Sequence, residues 1–445
     1  MGRKFSSSFL PYYAILAEFS FLKNSERTLI PVYKLNTLKW NLIFLIFFFF
    51  SMNILQGQSD TPLKNILIEK LEANGFENIR VKVDGERVII GYENRVFRFD
   101  AEAIREVIGI MIPELIGKQK IILLPQNRKI PIISIGILIS DCADYLGKKN
   151  SGEEFSRKLK IDFNTDPVIK ELQDEELSNS SSFRFDIGFR PQLKFEFGPY
   201  EKPVISQVNI IPGVKTSWWK GMNFNYEFII PLVNEFGNRE DSIRPGLIVL
   251  NQVIRFKNDF FVSASAGYFT QNRYGLDLDV RKFISNGDIS FNLNLGATSI
   301  ASFSGMRRLY YYDAFKLTGS IGCEYRIERY DLTLGLTAGK FLMGDESVRF
   351  DINREFGEIE IGFFAIRSRG GISNGGINLI IPLFPSHYWK PDFVRIKTDE
   401  NFSWSYLVKT DSDQLIGLRY NTGNRMGVFN KKLNPSFIRN YFQKN

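Results

Sequence analysis

From Phe183 onward, apolar and polar residues alternate with a period of two, the pattern of strands whose two faces meet different media. In Asp288–Gly296, Ile289, Phe291, Leu293 and Leu295 share one face, with Ser290, Asn292, Asn294 and Gly296 on the other. Tyr330–Phe341 sets Leu332, Leu334, Leu336 and Ala338 against Asp331, Thr333, Gly335, Thr337 and Gly339. Ser347–Glu355 opposes Val348, Phe350 and Ile352 to Arg349, Asp351, Asn353 and Glu355, and Gly275–Phe283 opposes Leu276, Leu278 and Val280 to Asp277, Asp279 and Arg281. Further segments lie near 184–198, 204–211, 218–230, 246–256, 259–270, 313–327, 358–369 and 376–383, with three or four more after 392. The total is roughly 12 to 16 strands. Many exceed the five or six residues usual in soluble sheets and suit a tilted bilayer crossing. One face is almost uninterrupted apolar surface, and the other is rich in Asp, Asn, Ser, Thr, Gly, Arg and Glu. Aromatic residues cluster at segment ends, at Trp218-Trp219, Tyr310-Tyr311-Tyr312 and Tyr388-Trp389, as interface girdles do. The expectation over 183–445 is a transmembrane antiparallel β-barrel with a polar interior, preferred to a soluble sandwich.

The pattern before Phe183 differs. Residues 60–140 predict a small α/β domain on the periplasmic side. Asp60 or Thr61 caps a helix with Pro62 at its first position, Leu63, Ile66, Leu67 and Leu71 recur at helical spacing, and Gly75 ends it. Ile79–Val83 and Val88–Tyr92 predict a hairpin turning at Asp84-Gly85. A second helix after Asp100 buries Ile104, Val107, Ile108, Met111 and Leu115, and strands follow at Lys120–Leu124 and Ile130–Ile139. Residues 141–182 are polar and turn-rich and read as a linker. Residues 1–57 read as a leader: Lys34 and Lys39 precede the apolar run Leu42–Phe50, and a short polar exit allows cleavage near Gly57. Nine helical residues rise only about 14 Å, half a bilayer core, so a signal peptide is preferred to an anchor.

Composition narrows the function classes. The chain has 445 residues, 41 of them Phe and 18 Tyr, with a formal charge of +8. The first 57 residues hold six Lys/Arg and two Asp/Glu, and the remaining charges are interspersed, which argues against nucleic-acid binding. Two cysteines, Cys142 and Cys323, make neither a disulfide framework nor a zinc site. The one histidine, His387, lies in the Pro- and aromatic-rich break Leu383–Pro391 and has Ser386 beside it in sequence only. With no second histidine and no Gly-x-Ser-x-Gly elbow, no catalytic set is expected, and no cofactor or metal.

Several segments resemble the YjbH/GfcD-like outer-membrane proteins of exopolysaccharide and capsule production. They are Gly75-Phe-Glu-Asn-Ile79 and Tyr92-Glu-Asn-Arg-Val-Phe-Arg98 in the small domain, and Gly267–Asp279, Gly339–Gly357, Glu360–Ala365 and Gly376–Leu383 beyond it. The resemblance runs over most of residues 63–385. It implies a bacterial outer-membrane protein acting in exopolysaccharide or capsule biogenesis, export or surface assembly, as scaffold or passage without covalent catalysis. The partners it implies are outer-membrane lipids, polysaccharide, and periplasmic export or assembly proteins. A general porin or structural membrane protein is the second reading, and a lumenal polysaccharide-modifying enzyme the third. The C-terminal residues Arg439–Asn445 end without the terminal aromatic common in such barrels, and Phe437 and Phe442 are placed near a final strand.

Candidate functional residues emerge from the same alternation. Asp277, Asp279, Arg281, Arg349, Asp351, Asn353 and Glu355 are candidate lumen or glycan contacts, with a mutually satisfied polar network as the plainer role. Trp218, Trp219, Tyr388 and Trp389 are candidate interface aromatics. Gly344-Asp345, between two patterned segments, reads as a hairpin turn.

Overall fold

The computed structural model describes residues 30–31, 62–197, 203–236, 241–257, 260–284, 287–389, 393–409, 415–426 and 433–444. Apart from residues 30–31, the leader expected over 1–57 lies outside the described residues.

The first unit is a small α/β domain. Helix α1 (Pro62–Ala73) buries Leu67 and Leu71, and the chain then turns at Gly75, whose φ of +82° suits a residue without a Cβ. Strands β1 (Glu77–Asp84) and β2 (Arg87–Glu93) form the expected hairpin. Helix α2 (Asp100–Met111) then crosses to β3 (Lys120–Asn127), which pairs parallel to β2, and β4 (Ser134–Leu138) returns antiparallel.

The stretch read as a linker is largely folded. It holds most of α3 (Ile139–Leu146), then α4 (Gly152–Lys158), β5 (Lys160–Asp162) on the edge beside β4, and α5 (Asp166–Leu172). Its polar residues are the solvent sides of short amphipathic pieces whose inner sides bury Cys142, Phe155 and Leu172. A capping box between Ser151 and Glu154 starts α4.

The second unit is a 16-stranded sheet among the described residues. Its strands are β6 (Phe185–Phe197), β7 (Val204–Thr216), β8 (Met222–Asn234), β9 (Arg244–Phe256), β10 (Phe260–Phe269), β11 (Arg273–Ile284), β12 (Ile289–Ser304), β13 (Arg308–Tyr311), β14 (Lys316–Ile327), β15 (Leu332–Lys340), β16 (Glu346–Phe356), β17 (Ile359–Ser368), β18 (Ser373–Pro382), β19 (Val394–Thr398) and β20 (Asn401–Lys409). Ile30–Pro31 pairs with β13, which lies off the main path on β12. The main order is β19-β6-β7-β8-β9-β10-β11-β12-β14-β15-β16-β17-β18-β20.

The period-two segments are strands, but the closed transmembrane antiparallel barrel expected from them is not what they build. The sheet is open. From β6 to β20 the path holds thirteen successive antiparallel strands, so its first and last strands run in the same direction. They cannot share an antiparallel ladder, whereas single-chain bacterial barrels close with an even count. Instead β19 pairs parallel with the first part of β6, from Val394↔Phe185 to Thr398↔Phe189, and β20 pairs with β18 alone. No described helix is long and apolar enough to cross a membrane.

The two faces of the sheet are sharply different. Outward residues such as Leu276 (61 %), Phe291 (48 %) and Phe363 (55 %) are exposed. Their neighbours on the inner face, among them Asn251, Asp277 and Asp279, are buried.

After β20 the described chain resumes at Leu415 and runs along the inner face to Met426, then reaches α6 (Pro435–Lys444). This helix replaces the final strand placed near Phe437 and Phe442. Its Ile438 and Phe442 are wholly buried in the core of the small domain, which also takes in Val253, Phe261 and Phe283 from one end of the sheet. The small domain therefore closes that end.

Candidate functional site

Part of the inner face is left uncovered by the returning C-terminal segment and lines a cavity of about 2060 Å³. Its floor is the small domain around Arg95 and Arg128, its walls come chiefly from β6–β9 and β20, and Tyr310, Tyr311 and Tyr312 line it toward the far end.

The floor is a charge network. Arg95 reaches Asp186 at 3.0 Å, Glu93 at 3.4 Å and Glu77 at 3.6 Å, and Arg395 also pairs with Asp186. Burial disfavours the charge on Asp186, but Arg395 and Arg95 more than offset this and hold its carboxyl below the usual carboxylate range. Further up, Asp399 accepts from Lys215 at 3.1 Å and lies 3.3 Å from Arg190, which in turn contacts Glu227 at 3.1 Å. Lys397 is different. Burial pushes its ammonium down to about 7, Arg395 adds to that effect, and the ring of Tyr388 lies 5.2 Å away.

The predicted inner-face residues lie mostly under the C-terminal segment. Asp277 accepts from Tyr420 Oη at 2.6 Å and from Asn294 at 3.0 Å, and Asp279 accepts from the Met426 amide at 3.0 Å. Arg281 donates to Ser290 Oγ at 2.8 Å and to Glu324. Arg349 pairs with Asp351 at 2.6 Å and stacks 4.0 Å from the Phe364 ring centre. Glu355 accepts from Arg326 at 2.8 Å, and Asn353 sits over Gly362, where a side chain would collide with it. These residues therefore form a polar network that fastens the chain to itself, and none of them lines the cavity. Gly296 serves the same contact, since a Cβ there would run into the Tyr420 hydroxyl.

Trp218, Trp219 and Trp389 are exposed, at 40 %, 49 % and 65 %. Tyr388 is buried, because the break carrying it folds back onto the small domain: its amide donates to the Val96 carbonyl at 2.7 Å. It is thus unavailable as an interface anchor. His387 packs at the same junction, its ring 5.0 Å from that of Phe97.

Asp186, Arg190, Arg395, Lys397 and Asp399 were not singled out from the sequence. Each falls on the inward phase of a strand or its immediate end, opposite Ile187, Phe189 and Ile396, so the alternation carried the signal.

Comparison with known proteins identifies the group to which this architecture belongs. The model of the YjbH family, described as exopolysaccharide biosynthesis protein YbjH, matches residues 51–376. The chain belongs to this family. Membership gives it a role in exopolysaccharide or capsule biogenesis, as a non-catalytic biogenesis factor and not an enzyme. The expected mode of action, a closed transmembrane barrel as scaffold or passage, is overturned by the open sheet, and a porin-like reading falls with it. No curated protein matches the sequence. Among solved structures, the chain is similar to OmpTΔL8, a loop L8 deletion mutant of OmpT, an outer membrane protein of Vibrio cholerae. The identity is 10 % over 44 % of this chain and 85 % of that one, with a TM-score of 0.25. A likeness so slight assigns neither fold nor role.

Proposed function

We propose that the protein handles exopolysaccharide noncovalently, holding a stretch of the polymer in the cavity of its open sheet. The observation that supports this most is the cavity itself, walled by charged, amide and hydroxyl side chains with aromatic rings at its far end. Such a lining matches the hydroxyls and C–H faces of sugars. A deletion strain complemented with Ser302→Trp plus Ser403→Trp, which narrows the cavity from two sides without touching the ion pairs, is expected to lose most of its surface polymer. Protein abundance should equal that of wild type. Undiminished polymer from the narrowed variant would contradict the reading.

We further infer that the protein associates with the outer membrane through its apolar outer face, with the small domain on the periplasmic side. Exposed Phe, Leu and Ile along successive strands form far more contiguous apolar surface than an aqueous protein carries. Phe350→Asp with Phe363→Asp should shift the protein out of the outer-membrane fraction, whereas Asn292→Asp, on the inner face, should not. Equal retention of both would contradict this placement. Ile116 and Leu138 on the small domain, 89 % and 51 % exposed, offer a surface for export or assembly proteins. Ile116→Glu with Leu138→Glu should abolish their co-purification with the folded protein. Unchanged co-purification would overturn that assignment.

A further inference from the structure

We propose that the seam between the two ends of the sheet is a side opening for an amphiphile, a saccharide bearing an acyl chain. Its sugar would lie in the cavity and its chain on the outer apolar face. This rests on the reading that the cavity holds saccharide and names the form in which it enters.

The seam is where the ladder stops. Pairing of β19 with β6 ends at Thr398↔Phe189, and beyond it β6 and β20 lie side by side with no register between them. Aromatic rings span the gap. Phe195 meets Trp404 with ring centres 6.4 Å apart, Phe197 meets Tyr406 at 5.4 Å, and Trp404 stacks on Tyr406 at 6.0 Å. Among the described residues no strand register joins β6 to β20, so these edges can part without breaking a ladder.

Polarity reverses across this gap within the thickness of one sheet. Phe195, Phe197, Trp404 and Tyr406 belong to the apolar outward phase, and the alternate residues Lys194, Glu196, Ser403 and Ser405 to the inward phase. All eight line the one cavity, which is therefore continuous through the seam. A free sugar held in the cavity leaves the outer rings uncovered, and a bare acyl chain gains nothing from the charged interior. Only a ligand with both parts satisfies both sides of the opening.

The test uses the purified full chain with Trp404 as its sole tryptophan, the other four (Trp40, Trp218, Trp219 and Trp389) replaced by Phe. Three probes are compared: an oligosaccharide released from the producing strain's own exopolysaccharide, the same oligosaccharide carrying a brominated dodecyl chain, and brominated dodecylphosphocholine. The acylated saccharide should bind about ten-fold tighter than the free one, or better, and quench Trp404 at concentrations where the phosphocholine does not. Phe195→Ser with Tyr406→Ser should erase that gain, so that free and acylated saccharide bind this variant with equal affinity. Equal affinity for free and acylated saccharide would overturn the seam while leaving the cavity reading in place. Equal quenching by the phosphocholine would also overturn it, as chain adsorption to the outer face. Binding of neither saccharide would overturn both readings.

Discussion

Arg95→Met is expected to destabilise the protein by about 3–5 kcal/mol, the cost of leaving buried charges without their partner. Methionine keeps much of the aliphatic stem, so packing is largely retained and the loss is electrostatic. Asp186, Glu77 and Glu93 all face Arg95, and their side chains are almost fully buried. The pair with Asp186 also ties the small domain to β6, so the two units should loosen together. The pH dependence has a definite sign. Because the folded-state pKa of Asp186 is depressed, its stabilising contribution is full above the unfolded carboxylate value near 4 and is lost as pH falls through the folded value. In the variant only Arg395 of the two close arginines remains, so the depression shrinks, and the acid loss from this group is smaller and complete at a higher pH. Urea midpoints measured from pH 3 to 8 on both proteins would check this. Parallel profiles with unchanged midpoints would refute it.

Phe442→Ala should cost a comparable amount, about 3–5 kcal/mol for removing a fully buried ring. Phe442 meets Phe155 at 5.3 Å and Tyr145 at 5.8 Å between ring centres, and it anchors α6 on the small domain. Its loss should free more than a helix end. The segment from Leu415 to Met426 is held between this anchor and the contacts of Tyr420 and Met426 with Asp277 and Asp279. Limited proteolysis should therefore show new cleavage between residues 415 and 444 in Phe442→Ala, with Gln443→Ala, an exposed neighbour, behaving as wild type. Resistance equal to wild type would show that α6 does not anchor the segment.

The strands were legible because alternation records each residue's surroundings directly. Ile289, Phe291 and Leu293 face outward and Ser290 and Asn292 inward wherever the sheet's ends lie. Closure depends on something alternation does not carry, the parity of the strand count. The bend at Asp399-Glu400 divides the last strand-forming stretch into β19 on β6 and β20 on β18. That division leaves the sheet open. The candidate site was legible in type and not in place. Asp277, Asp279 and Arg349 lie on the face expected, but the segment that covers them comes from more than sixty residues away in sequence and has no period of its own. Its Leu415, Tyr420 and Met426 are each buried, Tyr420 stacked on Phe269. Helix α6 was missed for a related reason: ten residues with Tyr441-Phe442 near their end read equally well as a terminal strand.

Polymer in the cavity beside the C-terminal segment would shield the cavity wall from small reagents. Cysteine protection tests it most directly, in protein whose Cys142 and Cys323 are replaced by Ala. A cysteine at Ser403, on the cavity wall, and one at Phe350, on the outer face, would be labelled with a small maleimide with and without oligosaccharide from the strain's own exopolysaccharide. Saturating saccharide should slow labelling of Ser403→Cys about ten-fold, as expected if the site is about nine-tenths occupied, and leave Phe350→Cys unchanged. Unaltered labelling of Ser403→Cys under saturating saccharide, or equal slowing at both positions, would contradict it.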